Sequence, residues 1–221
     1  MYQKIVVLAI VFLIALPLTA AESTITAGVK TGDWVEYNVI TTGTPPAAQD
    51  VTWAKIQILD VEGTVFNANF TVRYVNGTLS SAVRNFNFDA GQVQAWIIIP
   101  ANLSPGDIFY DSSINSNVTI QGQLQKTVAG ATRTITYTNT TERNKEWDKA
   151  TGFYVQSVDF LGNYTVNAMA VATNIWSPQI LGLDQNLFYT IIIAIVVVVV
   201  IVALLIVVAR RKKLNKPKKL P

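Results

Sequence analysis

The chain has 221 residues, of which 50% are hydrophobic and 14% charged, and 17 Lys and Arg outnumber 14 Asp and Glu. It contains no Cys and no His, which excludes disulfides, cysteine metal sites and catalysis by a thiolate or an imidazole. Seven of the basic residues follow the last apolar run, whereas residues 22–187 carry nine basic and 14 acidic side chains, a net charge of −5. That segment has no basic patch, so we expect no nucleic-acid partner.

The N-terminus predicts a cleaved signal peptide over residues 1–21. Lys4 precedes an apolar run from Ile5 to Leu18, and small residues follow as far as Ala21. A basic region, an apolar region and a small-residue cleavage site in this order are typical of secretory leaders. The apolar run is shorter than the roughly 20 residues that a spanning helix needs, which favours cleavage over an uncleaved anchor.

Residues 22–176 are predicted to form an extracellular all-β domain. Apolar and polar residues alternate with a period of two, and Val, Ile, Thr, Tyr and Phe are prominent between recurring turn signals. The predicted strands are 33–40, 52–61, 65–75, 82–88, 93–99, 117–125, 131–138, 153–160 and 164–173. Since no amphipathic helix is predicted that would cover a sheet, the strands form either an antiparallel sandwich or one curved half-barrel.

The C-terminal part predicts a membrane anchor. A juxtamembrane linker (177–187) leads into residues 188–209, which contain no charge, Gly or Pro. At a rise of about 1.5 Å per residue this helix crosses about 33 Å of hydrocarbon, so its predicted partner is the lipid bilayer. The basic segment 210–221 is predicted to be cytoplasmic by the positive-inside rule, which gives a single-pass type I protein with its N-terminal domain outside the cell membrane.

Asn-x-Ser/Thr acceptors for N-glycosylation are the most informative surface signal. Six occur, more than composition alone would give, although a Thr- and Asn-rich β surface also generates such triplets unaided. The candidates are Asn69, Asn76, Asn102, Asn117, Asn139 and Asn163. Asn102 is the weakest of them, because Pro105 follows its Ser104.

Catalysis has little support, since a hydrolase without His or Cys needs a carboxylate pair, a Ser-Lys pair or a metal. We therefore expect no enzyme, no catalytic residues and no cofactor. Three other groups of residues have a structural interpretation that is favoured over a functional one. The first group could offer oxygen ligands to calcium but is interpreted as a solvated loop: Asp107, Asp111, Asn115 and Asn117. The second group is the tryptophans, which are interpreted as packing residues rather than as a sugar-binding platform: Trp34, Trp53, Trp96, Trp147 and Trp176. The third group is the charged residues from Glu142 to Lys149, which are interpreted as a solvent-facing stretch.

Two stretches carry a resemblance to known proteins. The segments Gly32 to Tyr37 (GDWVEY) and 131–153 resemble archaeal type I membrane-anchored surface proteins that have a leader, a β-rich ectodomain and one C-terminal anchor. Within the second, Glu146 to Gly152 (EWDKATG) is similar to a turn in half-barrel lipoprotein carriers of the LolA and LppX kind. That similarity implies a curved sheet that holds lipid, although the chain has no lipobox cysteine.

The sequence thus favours a membrane-anchored cell-surface protein that acts as a non-enzymatic binding or structural module of the envelope. Its expected partners besides the bilayer are other envelope proteins or surface glycans. The alternative is a capture protein for lipid or another apolar solute, with a half-barrel as the cup. A carboxylate-dependent glycan hydrolase is the third and weakest hypothesis.

Overall fold

The computed structural model describes residues 25–214, so the predicted signal peptide and the end of the predicted basic tail lie outside the described residues. In the described part, thirteen strands precede one long helix. The strands are β1 (Trp34–Gly43), β2 (Val51–Glu62), β3 (Val65–Tyr74), β4 (Leu79–Asn87), β5 (Ile108–Asp111), β6 (Ser116–Thr119), β7 (Gly122–Val128), β8 (Ala131–Asn139), β9 (Arg143–Asp148), β10 (Tyr154–Phe160), β11 (Tyr164–Thr173), β12 (Gln179–Ile180) and β13 (Leu183–Asp184). A 3₁₀ turn (Ala47–Gln49) joins β1 to β2, and the helix is α1 (Gln185–Leu214). The predicted mostly-β fold with a C-terminal apolar helix is confirmed.

Nine strands form one antiparallel sheet in the order β4-β3-β2-β1-β11-β10-β9-β8-β7. Strands β4 and β9 are six positions apart, which is about 29 Å in a flat sheet. Nevertheless, Ala82 of β4 and Lys145 of β9 line the same cavity. The sheet is therefore curled round its own concave face, and the architecture is the half-barrel rather than the sandwich of two sheets.

Seven of the nine predicted strands correspond to observed strands. The hairpin of β2 and β3 turns at Gly63, which has a φ of +62°. The prediction of a strand over 93–99 is wrong, because this segment forms turns with isolated bridges at Gln94 and Ile98. The predicted strand 117–125 is split between β6 and β7, and the solvent-facing stretch predicted near residue 145 is in fact strand β9.

Residues 88–121, which run between the edge strands β4 and β7, form a plug across the concave face. The consecutive side chains Ile97 to Ile99 are all 1% exposed or less. The backbone N–H of Ile99 donates to the carbonyl of Gly152 at 3.0 Å, which ties the plug to the β9–β10 turn. The plug thereby covers part of the sheet without a helix.

The EWDKATG turn between β9 and β10 permits this approach of the plug. The carboxylate of Asp148 accepts the N–H of Thr151 at 3.0 Å and its hydroxyl at 2.8 Å, and both carboxylate oxygens bind the guanidinium of Arg133. Gly152 has a φ of +74°, and a Cβ at this position would lie 1.9 Å from the carbonyl oxygen of Ile99. The motif is therefore explained by packing of the plug against the turn.

The two ends of the sheet differ in their relation to the helix. At the end that we call the anchor end, where β11 finishes at Thr173, the indole of Trp176 donates to the carbonyl of Val128 at 3.0 Å. The hairpin of β12 and β13 then leads into α1, whose segment Gln185–Val208 contains an 18-residue window with a mean hydropathy of 4.0, none of which is buried. By length and composition this helix is able to cross a membrane. The opposite end, where β11 begins, is the far end.

Candidate binding cavity

The concave face is open at the far end, where it forms a cavity of about 810 Å³ that we call the cup. Its walls come from β1 to β4 and from β9 to β11, and the plug contributes Trp96 and Ile114. The apolar residues of the lining are Val39, Ala48, Val51, Ala54, Ile56, Phe70, Val72, Ala82, Trp96, Ile114, Leu161, Val166 and Ala168. The volume falls within the range of about 300–1,000 Å³ that is usual for ligand sites.

Strand register explains why these side chains face the same way. Val39 is paired with Ala168 and Ala54 with Val72, and directly paired residues project from the same face of a sheet. The neighbouring residue Lys55 points to the convex face, where its ammonium contacts Glu36 at 3.1 Å. The alternation read from the sequence therefore separates the lining of the cup from the outer surface.

The apolar lining of the cup remains partly open to solvent. Trp96 is 40% exposed, and Phe70 and Val72 are half-buried. The ring of Phe70 lies 5.7 Å from that of Trp96, and the guanidinium of Arg84 lies 5.9 Å from the same indole. An aromatic pair with a cation beside it therefore stands on an open concave surface.

A second cavity of about 550 Å³ adjoins the cup and is called the side pocket. Four residues line both cavities, namely Asp111, Ile114, Arg143 and Lys145. The other polar lining residues of the side pocket are Ser116, Asn117, Thr119, Gln121, Thr138, Thr140, Thr141 and Glu142. An apolar chamber and a chamber rich in hydroxyls and amides thus meet at a charged boundary.

At this boundary two cations share one carboxylate oxygen. Lys145 is 6% exposed, and its Nζ lies 3.6 Å from Oδ1 of Asp159, while Nε of Arg143 lies 3.8 Å from the same oxygen. Both distances exceed those of a direct hydrogen bond. The other oxygen of Asp159 accepts the hydroxyl of Ser157 at 2.8 Å. Donor capacity on both cations is therefore left for a group in the cavities.

Burial dominates the electrostatics of Lys145. Removal from water lowers the pKa of its ammonium, and the Asp159 carboxylate offsets part of this effect. Arg143 lowers that pKa further, whereas Asp111 raises it. Asp111 is itself 2% exposed, and its Oδ1 accepts the N–H and the hydroxyl of Ser113 at 2.9 and 2.6 Å. An additional anion bound beside Lys145 would therefore stabilise its cationic form.

Two buried tyrosines, Tyr37 and Tyr154, are connected to this boundary by hydrogen bonds. The hydroxyl of Tyr37 donates to the carbonyl of Tyr154 at 2.8 Å. The hydroxyl of Tyr154 lies 2.7 Å from Oγ of Ser157 and 3.2 Å from the carbonyl of Ala168. Because Ser157 gives its proton to the carboxylate of Asp159, the single hydroxyl proton of Tyr154 is shared between Oγ of Ser157 and the carbonyl of Ala168. Burial raises the pKa of both phenols well above the usual value, so they remain neutral donors.

The predicted glycosylation candidates lie away from the cup lining. Five are exposed, and Asn69 on β3 is half-buried and accepts the hydroxyl of Ser81 at 2.7 Å. The turns and strand ends at the far end carry three of them, namely Asn76, Asn139 and Asn163. Asn117 lies on β6, and Asn102 lies in a plug loop with a φ of +62°. The structure scatters these residues over the surface and leaves their use as acceptors a prediction.

Part of the calcium-like oxygen set and two of the tryptophans have structural roles. Asp107 accepts the N–H of Ser104 at 2.7 Å. The burial of Asp111 contradicts the solvated-loop interpretation for that residue, whereas Asn115 and Asn117 are exposed. Among the described residues, no group of three or more acidic side chains is placed to hold a metal ion. Trp147 and Trp176 are 0% and 8% exposed, which confirms packing for these two, whereas Trp96 lines the cup.

Sequence reasoning missed the boundary residues. Arg143 and Lys145 were interpreted as part of a solvated charged stretch, although they occupy alternate positions of β9 and face the cup. The sequence did contain a signal, because Arg143, Lys145 and Trp147 are each two residues apart, and this spacing places side chains on one face of a strand. Asp159 and Ser157 show the same spacing on β10.

Comparisons with known proteins are sparse. No protein-family model matches the chain, and no curated protein matches it. One similar solved structure is that of the siderocalin Ex-FABP, described as functioning through dual ligand specificities. It is 10% identical, with a TM-score of 0.23 over 63% of this chain and 70% of that chain. The resemblances to archaeal surface proteins and to LolA and LppX carriers stay predictions.

Proposed function

We propose that this chain is a single-pass, membrane-anchored, non-enzymatic binding protein that captures an apolar or amphiphilic solute in its cup. The open cup carries this proposal, because a partly exposed apolar concavity of about 810 Å³ is a suitable site for a ligand. A purely structural envelope module has no need of such a surface. The cup therefore favours binding within the broader hypothesis of a binding or structural module.

Connectivity gives the proposal a spatial arrangement. The helix α1 follows from the anchor end, and the cup lies at the far end of the same sheet. With the predicted type I topology, the domain stands outside the membrane and the cup opens at the part of the sheet remote from the anchor. Cleavage by a protease added to intact cells tests this orientation, and complete protection of the domain would contradict it.

Glycosylation of the outer surface is a separate part of the proposal. The exposed acceptors Asn76, Asn139 and Asn163 lie in turns or at strand ends, where a glycan projects into solvent. Glycopeptide mass spectrometry of protein from its own type of host checks it. Unmodified peptides at all six acceptors would reject it.

Capture is tested by native mass spectrometry of the full-length protein extracted from membranes. We expect an adduct of lipid-like mass on the wild type and its loss in Ala82→Trp, because Ala82 lines the cup on edge strand β4. The matched control is Val83→Trp, since Val83 is 61% exposed and projects from the other face of β4. A bare wild-type mass, or an adduct that Ala82→Trp leaves unchanged, would contradict capture in the cup.

A further inference from the structure

The boundary between the cup and the side pocket narrows the chemistry of the ligand. One chamber has mostly apolar walls, and the other is lined mainly by hydroxyl, amide and charged side chains. Lys145 and Arg143 line both chambers. A ligand that fills both would be apolar in one part, polar in the other, and next to two cations where the parts join.

Neither Lys145 nor Arg143 makes a short hydrogen bond to the carboxylate beside it. The Nζ of Lys145 and the Nε of Arg143 approach the same oxygen of Asp159 at 3.6 and 3.8 Å, and the second oxygen of Asp159 is engaged by Ser157. Lys145 is nearly buried, so its ammonium has little access to water. Buried cations are normally paired and hydrogen-bonded, whereas the nearest carboxylate oxygen to the buried Lys145 among the described residues lies 3.6 Å away. The side chain of Arg143 is 36% exposed and its guanidinium remains accessible from the cavities.

Arg84 extends the positive character of the concave face. It is paired with Ala68 in the sheet and lies beside the exposed indole of Trp96. The charged residues that line the cup or its boundary with their side chains are therefore Arg84, Arg143 and Lys145 against Asp111 and Asp159. Three cations therefore face two carboxylates, and one oxygen of each carboxylate already accepts a hydroxyl, that of Ser113 or that of Ser157.

We infer that the ligand is an anionic amphiphile whose chain occupies the cup and whose phosphate or carboxylate binds Lys145 and Arg143 at the boundary. The rest of its head group extends into the side pocket, where Thr138 and Thr140 offer hydroxyls. Charge-assisted hydrogen bonds from a buried ammonium and a guanidinium select an anion over a neutral head group. This inference rests on the proposed capture function.

The test is a titration of the full-length protein in detergent with probes that share a C16 chain. Hexadecyl phosphate and hexadecanoate are the anionic probes, hexadecanol is the neutral one, and inorganic phosphate is the anion without a chain. We expect both anionic probes, or one of them, to bind at least about tenfold more tightly than hexadecanol, as one charge-assisted hydrogen bond allows. Protein-free micelles give the background from partition into detergent.

Substitutions at the boundary test whether Lys145 and Arg143 cause the preference for anionic over neutral probes. In Lys145→Gln the ratio between anionic and neutral probes should fall towards one, and Arg143→Gln, at a half-buried position, should lower it in the same direction. Lys126→Gln is the matched control, because Lys126 also lies near a carboxylate, that of Glu146 at 2.5 Å, but outside both chambers. Binding of hexadecanol by each variant reports whether its cup is intact.

The outcomes separate the inference from the function on which it rests. Equal binding of anionic and neutral probes by the wild type would overturn the inference and leave capture standing. Failure to bind any C16 probe would overturn both. Displacement of hexadecyl phosphate by an equal concentration of inorganic phosphate would show that the site binds a free anion, and it would contradict the proposal of an amphiphilic ligand. A preference unchanged in both Lys145→Gln and Arg143→Gln would place the anion elsewhere and also overturn the inference.

Discussion

The concave face of one sheet is filled at the anchor end and open at the far end. At the anchor end the rings of Phe66 and Phe86 stack at 4.8 Å, and both side chains are 0% exposed. At the far end the corresponding aromatic residues are Phe70, which is half-buried, and Trp96, which is 40% exposed. Strand β3 supplies both the filled surface, with Phe66, and the open one, with Phe70, so strand formation by itself does not explain the difference.

The plug accounts for the difference. Its buried isoleucines, Ile97 to Ile99, lie over the anchor end, whereas the plug residues that line the cup include charged Asp111 and polar Ser113. Leaving apolar area in water forgoes about 25 cal/mol per Å² of stabilisation, so a native fold that keeps such an area open has a use for it. The filled end provides stability, and we assign the open end to binding.

The largest expected effect tests the contact between the plug and the β9–β10 turn. Gly152→Ala places a Cβ 1.9 Å from the carbonyl oxygen of Ile99 at a φ of +74°. Overpacking and the left-handed backbone together should lower the free energy of unfolding by about 4 kcal/mol. Chemical denaturation of the full-length protein in detergent measures this change.

Gly162→Ala at the far end is the control for that substitution. Gly162 has a φ of +76°, but no atom lies within 4 Å of the position that an added Cβ would take. It should lose about 1–2 kcal/mol from backbone strain alone. Equal losses for the two variants would show that the plug does not press against the β9–β10 turn.

The second prediction compares aromatic truncations at the two ends. Phe86→Ala removes a fully buried ring and should lower the free energy of unfolding by about 3–5 kcal/mol. Phe70→Ala removes a half-buried ring and should cost about 1–2 kcal/mol, while weakening retention of the C16 probes. Denaturation and probe titration of both variants provide the check. If Phe70→Ala were the more destabilising, the cup would be part of the folding core.

The smallest expected effect concerns Lys145 in the cup. Removing one partner of a buried ion pair is usually destabilising. Here the lowered pKa of Lys145 shows that desolvation of its ammonium outweighs the attraction of Asp159, and Asp159 keeps Arg143 and Ser157 as neighbours in Lys145→Met. We therefore expect the free energy of unfolding at neutral pH to change by no more than about 1 kcal/mol, or to rise. The anionic-probe preference should be lost in the same variant.

The pH dependence of this difference has a defined sign. Burial lowers the pKa of Lys145 in the folded state below its ordinary value of 10.5, so the unfolded chain holds the proton over the interval between these values. Across that interval the wild type gains stability relative to Lys145→Met as the pH rises. Tyr37 and Tyr154 are present in both proteins, so their raised pKa values cancel in the difference. A difference that stays constant up to pH 10.5 would contradict desolvation of the ammonium.

Local sequence pattern was sufficient for part of the site. The alternation in β1 and β3 places Val39 and Phe70 on one face, as the structure confirms. It was insufficient for β9, because a run of charges at Arg143 and Lys145 looks solvated until the opposite wall is known. Their burial comes from the plug and β10, which are distant in sequence.

By itself the sequence determined the β class, most strand positions and the apolar helix, since each depends on a period, a turn residue or a hydrophobic length that is local. Tertiary structure alone decided that the sheet curls into a half-barrel and that residues 88–121 fold back as a plug. Ile97 to Ile99 illustrate the reason. Consecutive apolar residues suggest a strand, but all three are buried because the plug lies between the sheet and the β9–β10 turn. Periodicity assigns residues to a face, whereas only non-local packing determines what covers that face.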